Sequence, residues 1–325
     1  VINTAYHFRD EYSDPRLSKS QPLQFKAGKK YKIRIEAGES YGDARLQLMW
    51  SVPAEAHYEE LKHEAVEVAG KADAVILCMG ISAGLEGEEM SVMVDGFRGG
   101  DRTRIDLPDI QQDLIKAVYA TGKPVILVLL NGSAIAVNWE NENLPAIIEA
   151  WYPGQAGGEA IADILFGDYN PAGRLPVTFY KSVTDLPPFE DYNMTNRTYR
   201  YFKGEPLYPF GYGLSYTTFA YSKFKIEKNV CIGDTLKVTV NVKNTGKLAG
   251  DEVVQLYLSN SGSLYPTPIR TLKAFDRMHL LPGEIKTVSF LIPPNAFSVI
   301  NDKFEKAVLP GEFIFSVGGK QPKLT

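Results

Sequence analysis

Three carboxylates stand within four residues in the segment Gly84-Leu85-Glu86-Gly87-Glu88-Glu89-Met90. Like charges this close repel, and burial against another surface adds a desolvation cost, so one carboxyl of such a group can stay protonated near neutral pH and act as a general acid. The same residues also read as a solvated acidic loop, and the segment alone leaves both readings open. Downstream, Gly99-Gly100-Asp101-Arg102-Thr103 and Ile105-Asp106-Leu107-Pro108 put Asp101 and Arg102 beside that loop, with a proline at a helix start. An ion pair that shapes the loop is expected there. Trp151-Tyr152 and the tyrosines at 199, 201, 208, 212 and 216 are candidates for stacking on sugar faces, with packing and loop anchoring as the preferred role. His7, His57, His63 and His279 lack metal-ligand spacing, and neither a serine-nucleophile motif nor a phosphate loop is present. No metal and no cofactor is expected.

The elements that must position these residues follow from periodicity. In residues 1–54, Tyr31, Ile33 and Ile35 alternate with charged residues, a turn falls at Gly38 to Gly42, and Leu46, Leu48 and Trp50 alternate again, which predicts a β-hairpin. Two strands cannot bury a face alone, so the hairpin is expected to belong to a larger sheet and the chain to begin inside a domain. A helix is predicted from Glu59 to Lys71 and a buried strand from Asp73 to Met79, ending at Gly80. After the Gly80 to Asp106 loop come a helix (108–121), a strand (124–130), a strand (146–150) and a helix (157–166). Helices alternating with short β-branched runs predict a mostly parallel α/β sheet covered on both faces, with ligands beyond the strands' carboxyl ends. Residues 170–222 read as a long ordered connection, a length that tends to accompany function. From Tyr221 onward alternation predicts an antiparallel sandwich, with strands near 236–242, 254–258, 286–292 and 311–317.

At 325 residues the chain predicts two or three domains. A net charge of −4, from 35 basic and 39 acidic residues, gives no basic field for a phosphate backbone, so nucleic acid is not an expected partner. No stretch approaches the ~20 apolar residues that span a membrane, and residues 1–15 lack a signal-peptide pattern. Cys78 and Cys231 fall in different expected domains and form no disulfide framework; Cys78 is read as a buried small hydrophobe.

Residues Ala150 to Phe179, reading AWYPGQAGGEAIADILFGDYNPAGRLPVTF, resemble the signature of the α/β sandwich domain of family 3 glycoside hydrolases. RTYRYF at 197–202 and YPFGYGLSYTTF at 208–219 resemble the tail that follows it. The resemblance implies three units: a partial PA14-like β domain at 1–54, the α/β sandwich with its tail at 55–222, and a fibronectin type III-like domain at 223–325. It implies a retaining exo-β-glycosidase, a β-glucosidase first and a β-xylosidase of the same family second. In such enzymes an Asp nucleophile comes from an N-terminal (β/α)8 barrel and a Glu acid/base from a loop matching Gly80 through Pro108. Glu88 is the first choice for the acid/base and Glu86 the alternative. The extra residues Met90 to Arg98 depart from shorter relatives. The implied partners are a β-linked oligosaccharide and the barrel, with a homo-oligomer possible and a periplasmic or secreted location. The chain alone is expected to be inactive. The reading from a different class is a non-catalytic carbohydrate-binding or scaffold module.

Overall fold

The computed structural model describes residues 29, 30, 32, 54–87, 89, 90, 92–227 and 231–323. The hairpin and PA14-like unit expected in 1–54 fall largely outside these residues, and Glu88 lies outside them.

The described chain opens with α1 (Ala54–Lys71) and β1 (Val75–Gly80), then three two-residue strands, β2 (Met93–Val94), β3 (Phe97–Arg98) and β4 (Asp101–Arg102). It continues through α2 (Asp109–Tyr119), β5 (Val125–Leu130), α3 (Asn138–Asn143), β6 (Ala146–Glu149) and α4 (Gly157–Phe166). A connection carrying α5 (Thr198–Tyr201) leads to β7 (Phe219–Ile226), β8 (Leu236–Asn244), β9 (Gly250–Asn260), β10 (Thr271–Leu280), β11 (Ile285–Ile292), β12 (Ser298–Ile300), β13 (Lys306–Val308) and β14 (Phe313–Gly318).

β1, β5 and β6 form a parallel sheet in that order. β5 is the central strand, and its VILVLL run is buried or half-buried throughout, as expected for a parallel strand covered on both faces. Leu127 and Leu129 pack there with Leu107, Ile115 and Val118 from the α2 segment and Ile135 from the turn after β5. Burying each such aliphatic side chain stabilises by about 1.5–3 kcal/mol. The strand ends close tightly at Gly80. Its φ is +142°, and an added Cβ would lie 1.9 Å from the Leu130 carbonyl oxygen, so only glycine fits. The Gln111 amide on α2 clasps this residue from both sides, accepting from Gly80 N–H at 2.9 Å and donating to its carbonyl at 2.7 Å.

β7–β8–β11 and β10–β9–β14 are the two antiparallel sheets of the sandwich. Along β8, Leu236, Val238, Val240 and Val242 point inward against Val254 and Leu256 of β9. β9 is also buried on its other face, where Tyr257 meets Tyr199 and Phe210 of the connection and Gln255 donates to the Gly211 carbonyl at 3.1 Å.

Several expectations are corrected. Cys78 is exposed, because β1 is an edge strand whose Ile76 and Cys78 face is uncovered among the described residues. The expected loop from Gly80 to Asp106 contains a small antiparallel sheet, β2–β3–β4, made largely by the extra residues. α3 escapes the sequence reading because NWENEN has no apolar period. β10 escapes it because a bulge between Leu272 and Ala274 breaks the alternation. β7 starts at Phe219 and pairs with β8, ahead of the sandwich boundary expected at 223.

Candidate active site

Three segments converge beyond the carboxyl ends of β1, β5 and β6: the acidic loop, the turn Asn131-Gly132-Ser133, and the turn Trp151-Tyr152. Glu86 is their meeting point. One carboxylate oxygen accepts from Gly132 N–H at 2.9 Å and from the Tyr152 hydroxyl at 2.5 Å, and the other accepts from the Ser133 hydroxyl. Charge-assisted bonds of this kind are about twice as strong as neutral ones. Burial and this contact with Glu86 push the Tyr152 phenol well above its ordinary range, so it stays a donor.

Arg102 sits behind Glu86. It donates to the Ser133 hydroxyl at 3.1 Å, to the carbonyls of Arg104 and Asp106 at 3.0 Å each, and to that of Ala134 at 3.4 Å. Burial lowers its guanidinium pKa, opposed by the nearby charges of Glu86 and Asp106. The expected Asp101–Arg102 ion pair does not form. Neighbouring residues of a strand point to opposite faces, so Asp101 is exposed while Arg102 turns inward.

The loop is fixed on its other side as well. Gly100 has φ +92°, and a Cβ there would lie 1.6 Å from the Gly87 carbonyl oxygen. Met90 N–H donates to the Gly99 carbonyl at 3.0 Å, and Gly99 N–H to that of Val92 at 2.7 Å. The extra residues thus fold on themselves, and Arg102 still reaches the Glu86 network. Sequence reasoning found Glu86 and placed Arg102 nearby but missed Gly132 and Ser133. The small polar residues directly after the buried run of β5 were the available signal.

A second carboxyl lies close by. Glu149 ends β6, and burial pushes it up to about 7, although Trp151 N–H and the Asn131 side chain pull it down. Its Oε1 accepts from Trp151 N–H at 3.1 Å, and Trp151 takes a left-handed φ of 55°. Most of the aromatic candidates are tied down. Trp151 packs edge-on against Phe179, Tyr199 stacks on Phe210, Tyr208 on Tyr212, and the Tyr216 hydroxyl donates to the Ile164 carbonyl at 2.6 Å.

This fold has known counterparts. Residues 13–216 match the glycosyl hydrolase family 3 C-terminal domain, and residues 252–321 match the fibronectin type III-like domain. The chain belongs to glycosyl hydrolase family 3. It is 51% identical over 215 residues to a xylan 1,4-β-xylosidase of Xylanibacter ruminicola, covering 66% of this chain and 25% of that protein. It is 41% identical over 268 residues to a periplasmic β-glucosidase of Salmonella typhimurium, covering 78% and 34%. A crystal structure of a β-glucosidase from Bifidobacterium adolescentis superposes with a TM-score of 0.73 at 33% identity, covering 82% of this chain and 40% of that one. The chain thus spans about a quarter to two fifths of the relatives it matches. The first family match begins at residue 13, inside the segment expected to be PA14-like.

Proposed function

We propose that this chain contributes the acid/base loop of a retaining exo-β-glycosidase that removes terminal β-linked sugars from oligosaccharides. The supporting observation is the anchoring of the acidic loop. Glu86 is strapped by donors from two neighbouring turns, and Gly87 is clamped against Gly100. In this reading Glu88 protonates the leaving oxygen and later activates water, and Glu86 is the alternative for that role. Glu86 already has both oxygens engaged by donors of the chain itself, which favours the first assignment.

A retaining mechanism needs a second carboxylate about 5–5.5 Å away to form the glycosyl-enzyme intermediate. In family 3 that Asp belongs to a (β/α)8 barrel, which is the partner proposed for this chain. The 325 residues by themselves are then inactive on aryl β-glucosides, and turnover by the purified chain would overturn this. The substrate is a β-glucoside in the first reading. The 51% identity to a β-xylosidase supports a β-xyloside as the second. The likeness to a periplasmic enzyme supports a periplasmic or secreted location.

The test uses the complete enzyme on nitrophenyl glucosides and xylosides. Glu88→Gln is expected to lower kcat by about 10²–10⁴ on poor leaving groups. If Glu86→Gln gives that loss and Glu88→Gln does not, the two roles are exchanged. If neither variant changes the rate, the loop is not catalytic and the binding-module reading takes over.

A further inference from the structure

The segment from Pro187 to Thr198 holds two aromatic side chains in solvent on a backbone that is tightly fixed. Phe189 is 88% exposed and Tyr192 92%, and Met194 is exposed two residues further on. Scattered exposed apolar residues are ordinary on any protein. Here the backbone that carries them is gathered by one side chain: the Arg197 guanidinium donates to the carbonyls of Pro188 at 2.9 Å, Asp191 at 2.5 Å and Asn193 at 3.2 Å. Asp191 N–H closes a turn on the Pro188 carbonyl at 3.0 Å, and the Asp191 carboxylate accepts from the backbone and side-chain amides of Asn193 at 2.9 and 2.8 Å. Asn196 and Thr198 take left-handed φ values of 59° and 53°, and for a β-branched threonine that conformation is strained. An ordered loop that tolerates strain and keeps its two aromatic rings in water has the make-up of a pre-organised docking site.

Both feet of this loop stand beside the candidate active site. Phe179 packs edge-on against Trp151 with ring centroids 6.0 Å apart, and Trp151 directly precedes Tyr152, a donor to Glu86. The Lys181 carbonyl accepts from Asn138 Nδ2 at the start of α3 at 2.8 Å. At the far foot, Thr198 N–H donates to the Tyr180 hydroxyl at 2.9 Å, which ties the end of the loop back to its beginning.

Whatever supplies the nucleophile has to approach the same end of the sheet, because its carboxylate must lie about 5–5.5 Å from the acid/base. The chain spans 25% of the xylosidase relative and 40% of the Bifidobacterium enzyme, so the larger part of such an enzyme lies outside it. We propose that the 187–198 loop is the docking surface for the barrel portion of the same enzyme, with the Phe189 and Tyr192 rings as its anchors in apolar hollows of the barrel surface. Each ring of this kind removes about 150–250 Å² from water when it is covered. The loop is already ordered, so little conformational freedom is lost on docking, and the contact holds the two halves of the site at a fixed separation. The inference rests on the reading of this chain as the acid/base half of a retaining glycosidase.

Two experiments on the complete enzyme test this. In hydroxyl-radical labelling read by mass spectrometry, Phe189 and Tyr192 are expected to react about fivefold or more slowly than in the urea-unfolded enzyme, as residues at the centre of an interface do. Rates near the unfolded ones would overturn the docking, since side chains this exposed react freely unless something covers them. Protection that is lost when the enzyme is diluted to a monomer would assign the surface to a second copy, and protection seen only with added oligosaccharide would make it a sugar platform; either result overturns the barrel as the occupant. In the second experiment, the double variant Phe189→Ser, Tyr192→Ser is expected to lower the melting temperature by about 4 °C or more. A value within about a degree of the unmodified enzyme, the usual outcome for exposed residues, would overturn the anchoring role. Where the double variant does not fold, the labelling of the unmodified enzyme decides. Glu88→Gln assayed alongside keeps the two readings apart: full activity with Phe189 protected removes the acid/base reading and leaves the docking surface, whereas lost activity with Phe189 freely labelled does the reverse.

Discussion

Asn131 and Asn244 are both wholly buried, one after β5 and the other at the end of β8, and they are treated in opposite ways. Asn244 uses its full capacity. Its Oδ1 accepts from the Thr217 hydroxyl at 2.6 Å and Gly246 N–H at 3.0 Å, and its Nδ2 donates to the carbonyls of Leu248 at 2.8 Å and Leu280 at 3.0 Å. Asn131 donates to the Ser133 carbonyl at 2.9 Å, and its Oδ1 is buried without a donor. A fully satisfied buried network rigidifies a fold, whereas a partly satisfied one retains groups that respond to a proton or a ligand. The contrast separates a region organised for stability, the sandwich, from one where stability is given up at a site.

Asn244→Ala gives the largest expected effect. It strips partners from two donors and two carbonyls in the sandwich, and losing about 3–5 kcal/mol of stability is expected because each buried orphan costs about 1–3 kcal/mol and some recover water. Below the melting temperature kcat of the complete enzyme should not change. Denaturant melts and steady-state kinetics on the same preparation check both halves. A lowered kcat in folded Asn244→Ala would erase the division between the regions.

Asn131→Ala sharpens the contrast from the other side. It removes the bond to the Ser133 carbonyl and the contact that stabilises the Glu149 carboxylate, so about 1–2 kcal/mol of stability is expected to go. Activity should fall more than stability does, by about tenfold, because Ser133 then holds Glu86 less firmly. An activity loss no larger than that of Asn244→Ala would make Asn131 an ordinary core residue.

How much of this was legible in the sequence depends on the range of the interaction. β1 and β5 were readable because each is an uninterrupted apolar run ending in a turn, and β8 because its inward residues alternate over its whole length. The candidate carboxylates were readable as types. What holds them was not, since Gly132 and Tyr152 lie 46 and 66 residues from Glu86 and no local period encodes such a meeting. Adjacency also misled. Asp101 and Arg102 looked like a pair, but strand geometry turns them apart. Cys78 looked buried because its run is apolar, but among the described residues nothing covers the face of β1 that carries it.

The smallest expected effect tests whether charge as such matters away from these two regions. Glu67 and Lys71 form an i,i+4 pair on α1 at 2.6 Å, with side chains 58% and 70% exposed. The order, glutamate first, is the favourable one along a helix, yet exposed pairs of this kind contribute at most about 0.5 kcal/mol. Glu67→Gln should therefore lower the melting temperature by about a degree or less, and by less again at 1 M salt, where screening acts within ~3 Å. Lys62 on the same helix is a different case, since its ammonium lies 2.8 Å from both Glu59 and Asp113 and so ties α1 to α2, with the Tyr58 hydroxyl on the same Asp113 oxygen at 2.7 Å. Lys62→Met should cost more stability than Glu67→Gln because it cuts a contact between helices and not one within a turn. If the two variants melt together, surface charge on this face contributes only through helix propensity, and the burial of polar groups alone distinguishes the site from the rest of the chain.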